Sequence, residues 1–462
     1  MRSPIRLRFS TGHAVWLAAL GPPAVMLFMD TRYPWLGPAL VGLLAVLMMV
    51  TFSGRRVTGW VATVFRWFRR RRKLPNPPSE PVVGATVKPG DHVAVRWQGE
   101  DLVSVIELIP RPFTPTVIVD GKAHTDDMLD TRLLEDLLSV HCPDLEADVV
   151  SAGYRVGTTA TRDVVRVYRQ VTGIDPAPAS RRTWIVLRGD PKRTRRSSLR
   201  RDEGVPGLAR YLVASTTRIA DQLASHGVDA VCCRSFDDFD HATDIGFARE
   251  KWAMILGRNT YTVAYTAPSG PDAWWSTRAD HTITRVRVVV GEPPRSTVLL
   301  TTLGKPKTPR GFSRLFGGQR SGLAGQTLVA NRHCQLPIGS AGVLIGQTSN
   351  KCPVYMPFDD VDATLSLGDA QTFAQFAVRA AAAGAVVTVG PQFKEFAELI
   401  GAQIGSVAKV TWPNATTYLG PHPGVDRVIL RHNGISTPRH RQLPIQRISP
   451  PEESRYQLSL PK

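Results

Sequence analysis

Two short stretches, 236–240 and 358–362, share the pattern Phe-Asp-Asp-x-Asp. Asp238 with Asp240, and Asp360 with Asp362, offer hard carboxylate oxygens that suit Mg²⁺ or Mn²⁺. Such an ion would neutralise the leaving diphosphate of a nucleotide sugar. Aspartates so placed more commonly cap turns and helices after a strand, and a duplicated α/β unit would leave the same repeat. A phosphate loop requires glycine, four residues, glycine, lysine and a hydroxyl. At 341–348, Ala341 and Gln347 replace the first glycine and the lysine, so Gly339, Gly342 and Gly346 are expected to turn the chain around a short apolar strand. Neither a Gly-x-Ser-x-Gly elbow nor a His-Glu-x-x-His motif occurs. His124, His226, His241, His281 and His333 have no carboxylate or nucleophile partner at a catalytic spacing. Cys142, Cys232, Cys233, Cys334 and Cys352 form no Cys-x-x-Cys pair, so reduced thiols and no structural metal are expected. No catalytic set and no cofactor motif emerges.

The chemistry this chain does repeat is cationic: 57 Lys and Arg against 39 Asp and Glu give +18. One cluster is Arg55, Arg56, Arg66, Arg69, Arg70, Arg71, Arg72 and Lys73, with no acid across 54–74. It suits anionic lipid headgroups, at about 1 kcal/mol per basic side chain near the surface. A second cluster is Arg181, Arg182, Arg188, Lys192, Arg193, Arg195, Arg196, Arg200 and Arg201, with Asp190 as counter-charge before Asp202. It reads as a solvated loop, a phosphorylation site at Arg196-Ser197-Ser198, or a surface for lipid or an acidic partner. The interleaved aromatics that single-stranded nucleic acid would need are missing.

The elements positioning the first cluster are apolar. Residues 35–52 form an 18-residue run without a charge, which at about 1.5 Å per helical residue matches the roughly 30 Å hydrocarbon core. Residues 13–29 form a 17-residue run containing Gly21, Pro22 and Pro23, so that helix is expected to bend or break. Arg2, Arg6 and Arg8 precede the first run and the basic cluster follows the second. The positive-inside rule then places both ends on the cytoplasmic side. A cleaved signal peptide fits less well, because no small-residue cleavage pattern precedes the break. Along 57–73, Trp60, Val61, Val64, Phe65 and Phe68 recur at helical spacing, predicting a helix along the headgroups or docked on a partner's membrane helix. Pro75, Pro77, Pro78 and Pro81 make a semi-rigid spacer.

Beyond it the patterning is α/β, mixed α+β. Alternation from Val93 to Trp97, a turn at Gly99 and extended stretches at 102–109 and 116–119 predict an antiparallel meander covered by a helix over 128–140, started at 125–127. A strand at 183–187, a long helix along Leu208, Leu212, Ile219 and Leu223, and a strand at 229–232 predict a parallel crossover. Strands at 261–265, 282–290 and 297–301 are expected to join a mixed sheet. Later come helices at 369–384 and 393–400 and strands at 386–389, 407–411 and 427–430. The implied organisation is a transmembrane hairpin at 1–54, a basic juxtamembrane helix and Pro-rich spacer at 55–81, cytoplasmic α/β units at 82–302 and 303–437, and a flexible tail at 438–462.

Five longer strings carry a resemblance: GATVKPGDHVAVRWQGE (84–100), RPFTPTVIVDGKAHTDDMLDT (111–131), HCPDLEADVVSAGYRVG (141–157), TSNKCPVYMPFDDVD (348–362) and WPNATTYLGPHPGVDRVILRH (412–432). With the hairpin, they make the chain resemble the EccE family of the mycobacterial type VII (ESX) secretion system over essentially its full length. Within it, the chain is most similar to the member of the first-described, virulence-associated ESX locus. The resemblance implies a non-catalytic subunit at the periphery of an inner-membrane complex with EccB, EccC and EccD, EccC being the FtsK/SpoIIIE-like ATPase motor. It further implies a hexameric assembly exporting small WXG-type proteins. Two rival readings stay open. One is a membrane-tethered, metal-dependent nucleotide-sugar transferase using Asp238 and Asp240 or Asp360 and Asp362. The other is an anionic lipid or nucleic-acid binding module using the cations of 188–201.

Overall fold

Gly99, at φ +72°, closes a hairpin between β1 (Val95–Gln98) and β2 (Asp101–Leu108), where the sequence places a turn. The computed structural model describes residues 93–456, apart from 158–159, 267–269, 327, 421, 423–424 and 432. It also describes short stretches at 5–7, 22–23, 26, 35–39, 41–42, 50–52, 55–56, 63–65, 67–68 and 81–82. The fold is mixed α/β, mostly strands with several helices. The chain divides into two compact units. One comprises Met1–Pro77, Lys251–Ala253 and Leu315–Gln319; the other comprises Pro78–Glu250, Met254–Arg314 and Arg320–Lys462.

In the larger unit, β3 (Thr116–Val119) and β4 (Lys122–His124) form a second hairpin. The helix expected over 128–140 is α1 (Thr131–His141). Its start is set not at 125–127 but at Asp130, whose carboxylate accepts the Arg132 backbone N–H. Residues 128–130 are a strand, β5 (Met128–Asp130). There follow β6 (Glu146–Tyr154), α2 (Arg162–Val171), β7 (Ser180–Gly189), α3 (Arg195–Leu199), α4 (Gly204–Ser225), β8 (Ala230–Cys232) and α5 (Asp237–Thr243). Then come β9 (Tyr261–Thr266), α6 (Pro271–Trp275), β10 (His281–Val289) and β11 (Glu292–Thr302).

The main sheet runs β9-β11-β10-β6-β7-β2-β1, and each of these neighbours is antiparallel to the next. The expected mixed sheet is therefore antiparallel here. The crossover from β7 through α4 to β8 does return a strand of the same direction, but not an adjacent one. Both β7 and β8 lie antiparallel to β2, which separates them. One face of the sheet is covered by α1 and α4, whose Leu134, Leu138, Leu212, Ile219 and Leu223 pack with Ile106, Val149, Ile185 and Leu187. Each such side chain contributes roughly 1.5–3 kcal/mol by leaving water. The other face carries Trp184, on whose ring the Phe239 ring of α5 sits edge-on at 5.7 Å.

A second core is built from β13 (Val343–Gln347), after β12 (Gln335–Pro337), which pairs with β5. It continues through β14 (Pro353–Met356), β15 (Ala363–Leu367), α7 (Ala370–Ala382), β16 (Val386–Val389) and α8 (Lys394–Ile400). β17 (Lys409–Thr411), β18 (Thr416–Tyr418), β19 (Asp426–Arg431) and β20 (Gly434–Ser436) complete it. The sheet order is β16-β17-β18-β15-β19-β20, with β15 parallel to both of its neighbours. Asp369 caps α7 by accepting the Thr372 N–H at 2.7 Å. This core also takes Ile118, Val164, Val167 and Tyr168 from β3 and α2, so its residues are not consecutive in sequence. The two parts meet closely at Gly157 and Gly384, where a Cβ on Gly157 would lie 2.3 Å from the Gly384 Cα.

Residues 438–456, expected to be a flexible tail, are packed instead. Glu453 forms a buried ion pair with Arg379 of α7 at 2.8 Å, and Tyr456 is buried. Gln446 exchanges backbone hydrogen bonds with Gln347 of β13. A buried charge pair with these backbone anchors holds a segment whose proline and charge content alone reads as loose.

The expected transmembrane hairpin at 13–52 lies largely outside the described residues. Among those described, no helix is long and apolar enough to cross a membrane. Residues 50–52, the end of the second apolar run, form a strand antiparallel to Ile5–Leu7 and to Arg55–Arg56; Val50, Thr51 and Phe52 are residue types that favour strands.

Candidate functional site

The cations singled out by the sequence divide into those the fold neutralises and those it leaves outward. Arg181 is buried and donates from Nε and Nη2 to the Gly339 carbonyl, while its guanidinium lies over the Trp275 ring. Burial pulls Arg181 down to about 9. Arg182 pairs with Glu107 at 2.6 Å and with Asp238 at 3.3 Å. Arg193 pairs with Glu146. Lys192, Arg195, Arg196, Arg200 and Arg201 are exposed on α3 and its flanks. Arg201 lies over the Tyr211 ring. Ser197 donates to Asp144 at 2.6 Å and Ser198 donates to the Thr194 carbonyl, so both hydroxyls of the expected phosphorylation site are engaged.

Arg188 enters a cluster that no local motif announced. Asp148 of β6 is fully buried and faces three guanidiniums: Arg188 of β7 at 2.7 Å, with Arg285 at 2.9 Å and Arg287 at 2.6 Å from β10. Burial would raise this carboxyl. The Arg188, Arg287 and Arg285 charges outweigh it and hold Asp148 far below the usual carboxylate range. Arg188 also reaches Gln98 at 2.5 Å and Asp101 at 3.3 Å. Register alone assembles the group, since Asp148 lies opposite Arg287 across the ladder.

The two Asp-x-Asp elements take different partners. Asp240 accepts two bonds from Arg96, at 2.5 and 2.6 Å, and Asp238 takes Arg182. Asp362 accepts the Thr416 backbone N–H at 2.7 Å. Asp359, which the pattern also contains, is buried, accepts from Ser340 at 2.7 Å on Oδ2, and has no partner on Oδ1. The neighbouring Asp360 has none on Oδ2. Burial raises both carboxyls, and the Asp359 charge raises Asp360 further. Among the described residues, no three His, Cys, Asp or Glu side chains are placed to hold a metal. Gly342, at φ +79°, turns the chain into β13 as expected for the degenerate phosphate loop. None of the five cysteines forms a disulfide. His333, without a partner by sequence spacing, has Nε2 3.3 Å from Glu135.

Of the juxtamembrane cluster, the backbone of Arg55 and Arg56 is described as a short strand, while Arg66, Arg69, Arg70, Arg71, Arg72 and Lys73 lie outside the described residues. Residues 63–65 and 67–68 are helical. Thr63 is buried and Trp67 meets Trp252 edge-on at 5.4 Å, whereas Val64, Phe65 and Phe68 are exposed.

A family model described as "Putative type VII ESX secretion system translocon, EccE" matches residues 177–267, a span covering β7, α3, α4, β8, α5 and β9. The chain is 77% identical over 462 residues, the full length of both, to the ESX-1 secretion system protein EccE1 of Mycobacterium tuberculosis. It is 64% identical over 453 residues, 98% of each chain, to EccE1 of Mycolicibacterium smegmatis. It is 24% identical over 352 residues, 67% of this chain and 83% of the other, to the ESX-5 secretion system protein EccE5 of Mycobacterium marinum. On this full-length identity, the chain belongs to the EccE family of type VII secretion system proteins.

Proposed function

We propose that this chain is a non-catalytic structural subunit of the ESX membrane complex. A hairpin at 1–54 anchors it in the inner membrane with both termini cytoplasmic, and its cytoplasmic part contacts the EccC motor or EccD. EccB, EccC and EccD are its proposed partners in a hexameric assembly. Full-length identity to a named ESX-1 secretion protein carries the reading. Support for the anchor comes from the helical residues 63–65 and 67–68, whose Val64, Phe65 and Phe68 are exposed and which are close in sequence to the proposed headgroup-binding Arg55, Arg56, Arg66, Arg69, Arg70, Arg71, Arg72 and Lys73. Within the cytoplasmic part we propose a division into 82–302 and 303–437, the second completed by α2 and β3. Holding a motor to a membrane ring requires geometry and not bond-making. A mild-detergent pull-down of the tagged full chain from membranes, read by mass spectrometry, is expected to recover EccB, EccC and EccD. Recovery of the chain alone, from the soluble fraction without detergent, would overturn the proposal.

A further inference from the structure

Where β6 ends, beside the C-terminal end of α2 and the start of β10, lies a cavity of about 140 Å³ lined by Arg155, Arg169 and Arg278, with Asp280 as its acidic member. Arg169 is matched to Asp280 at 2.8 Å, and the other Asp280 oxygen accepts the Leu303 N–H at 2.8 Å. Arg155 is different. It is 6% exposed, it forms no ion pair among the described residues, and its Nε has no partner. Its Nη1 donates to the Ser276 carbonyl and its Nη2 to the Gly173 carbonyl, both at helix ends, which fixes the guanidinium plane against the cavity wall. Arg278 is exposed at the rim and likewise pairs with no carboxylate among the described residues. Burial lowers Arg155, as does the nearby Arg278 charge, whereas Tyr355 and Asp175 act the other way.

A buried guanidinium with no carboxylate at ion-pair distance among the described residues, held by two backbone carbonyls and with only the more distant Asp175 acting on it, favours a further anion beside it. Two guanidiniums lining one small cavity offer the charge and the fork-shaped donors that a tetrahedral oxyanion takes. The volume suits one phosphoryl group. We propose that this cavity is a phosphate-class oxyanion site, with Arg155 as its fixed floor and Arg278 as its closing contact. This goes beyond the scaffold reading and does not depend on it.

The test uses the full chain in detergent, with its thermal unfolding followed in sodium phosphate and in sodium chloride of equal ionic strength. Inorganic phosphate is expected to raise the midpoint in a saturable way, and Arg278→Gln to weaken the apparent affinity on the order of tenfold. Arg278 is exposed, so that variant folds even if Arg155→Gln does not. A Lys192→Gln, Arg196→Gln control on the α3 surface should leave the effect unchanged. Parallel titrations with ATP and with phosphatidylglycerol micelles identify the source of the phosphoryl group: a shift with any of these that Arg278→Gln diminishes supports the site. No saturable shift with any probe, or a shift that survives Arg278→Gln, would overturn it.

Discussion

Asp148 and the Asp359–Asp360 pair are both buried acids in a strongly basic chain, yet their surroundings are opposite. Asp148 is ringed by Arg188, Arg285 and Arg287 contributed by two neighbouring strands. Asp359 has the Ser340 hydroxyl, while Arg181, the cation acting on it, donates to the Gly339 carbonyl. The first is a satisfied ionic group inside a sheet; the second is a pair of carboxyls that burial pushes toward the neutral form. Formal charge therefore says little about where charge is compensated. Strand register decides it.

The largest effect that would break this comparison is expected at Asp148. Asp148→Ala removes the buried carboxylate shared by three guanidiniums, leaving Arg285 without an ion pair among the described residues and Arg188 and Arg287 with only Asp101 and Glu146, and should cost about 3–5 kcal/mol in denaturant unfolding. An equal loss for Asp359→Asn, which keeps shape and removes a strained charge, would erase the distinction. Arg379→Met should come next, at about 3 kcal/mol, because it strands Glu453; limited proteolysis should then cut within 438–456, a segment expected to resist in the parent chain.

The pH dependence sharpens the contrast by sign. Asp148, depressed, contributes stability that is present above the ordinary aspartate value near 4 and lost as pH falls toward its folded pKa. Asp359 and Asp360, raised, contribute stability that is present below about pH 4 and lost as pH rises through their elevated values. Asp359→Asn with Asp360→Asn should therefore flatten the decline of the unfolding midpoint from acidic to neutral pH. An unchanged profile would contradict the assignment. The smallest effect is expected for Asp238→Ala. Its contact with Arg182 is exposed, so stability should change by at most about 1 kcal/mol. No Mn²⁺-dependent nucleotide-diphosphate binding should be present to lose, and finding such binding would revive the transferase reading.

Local signals made much of the fold legible. The Gly99 turn, the apolar strand inside β7, the long stripe of α4 and the alanine-rich helix from 369 each depend on residues a few positions apart. What sequence could not supply was pairing between distant strands. The Asp148 group joins positions 40 and 137 residues apart, and β2 separates β7 from β8 through pairings that no local pattern encodes. The second basic cluster reads as one object in sequence because its members are neighbours there. Arg181 and Arg188 lie in the interior, whereas Arg195, Arg196 and Arg200 point outward from α3. The tail misled for the same reason, since Glu453 acquires meaning only beside Arg379.

Anchoring through the N-terminal apolar and basic segments is the central claim, and removing residues 1–74 addresses it most directly. Comparative pull-downs of the full and shortened chains from detergent-solubilised mycobacterial membranes should show EccB, EccC and EccD with the full chain and their loss with the shortened one. Undiminished recovery of all three with the shortened chain, still folded by its unfolding midpoint, would contradict it.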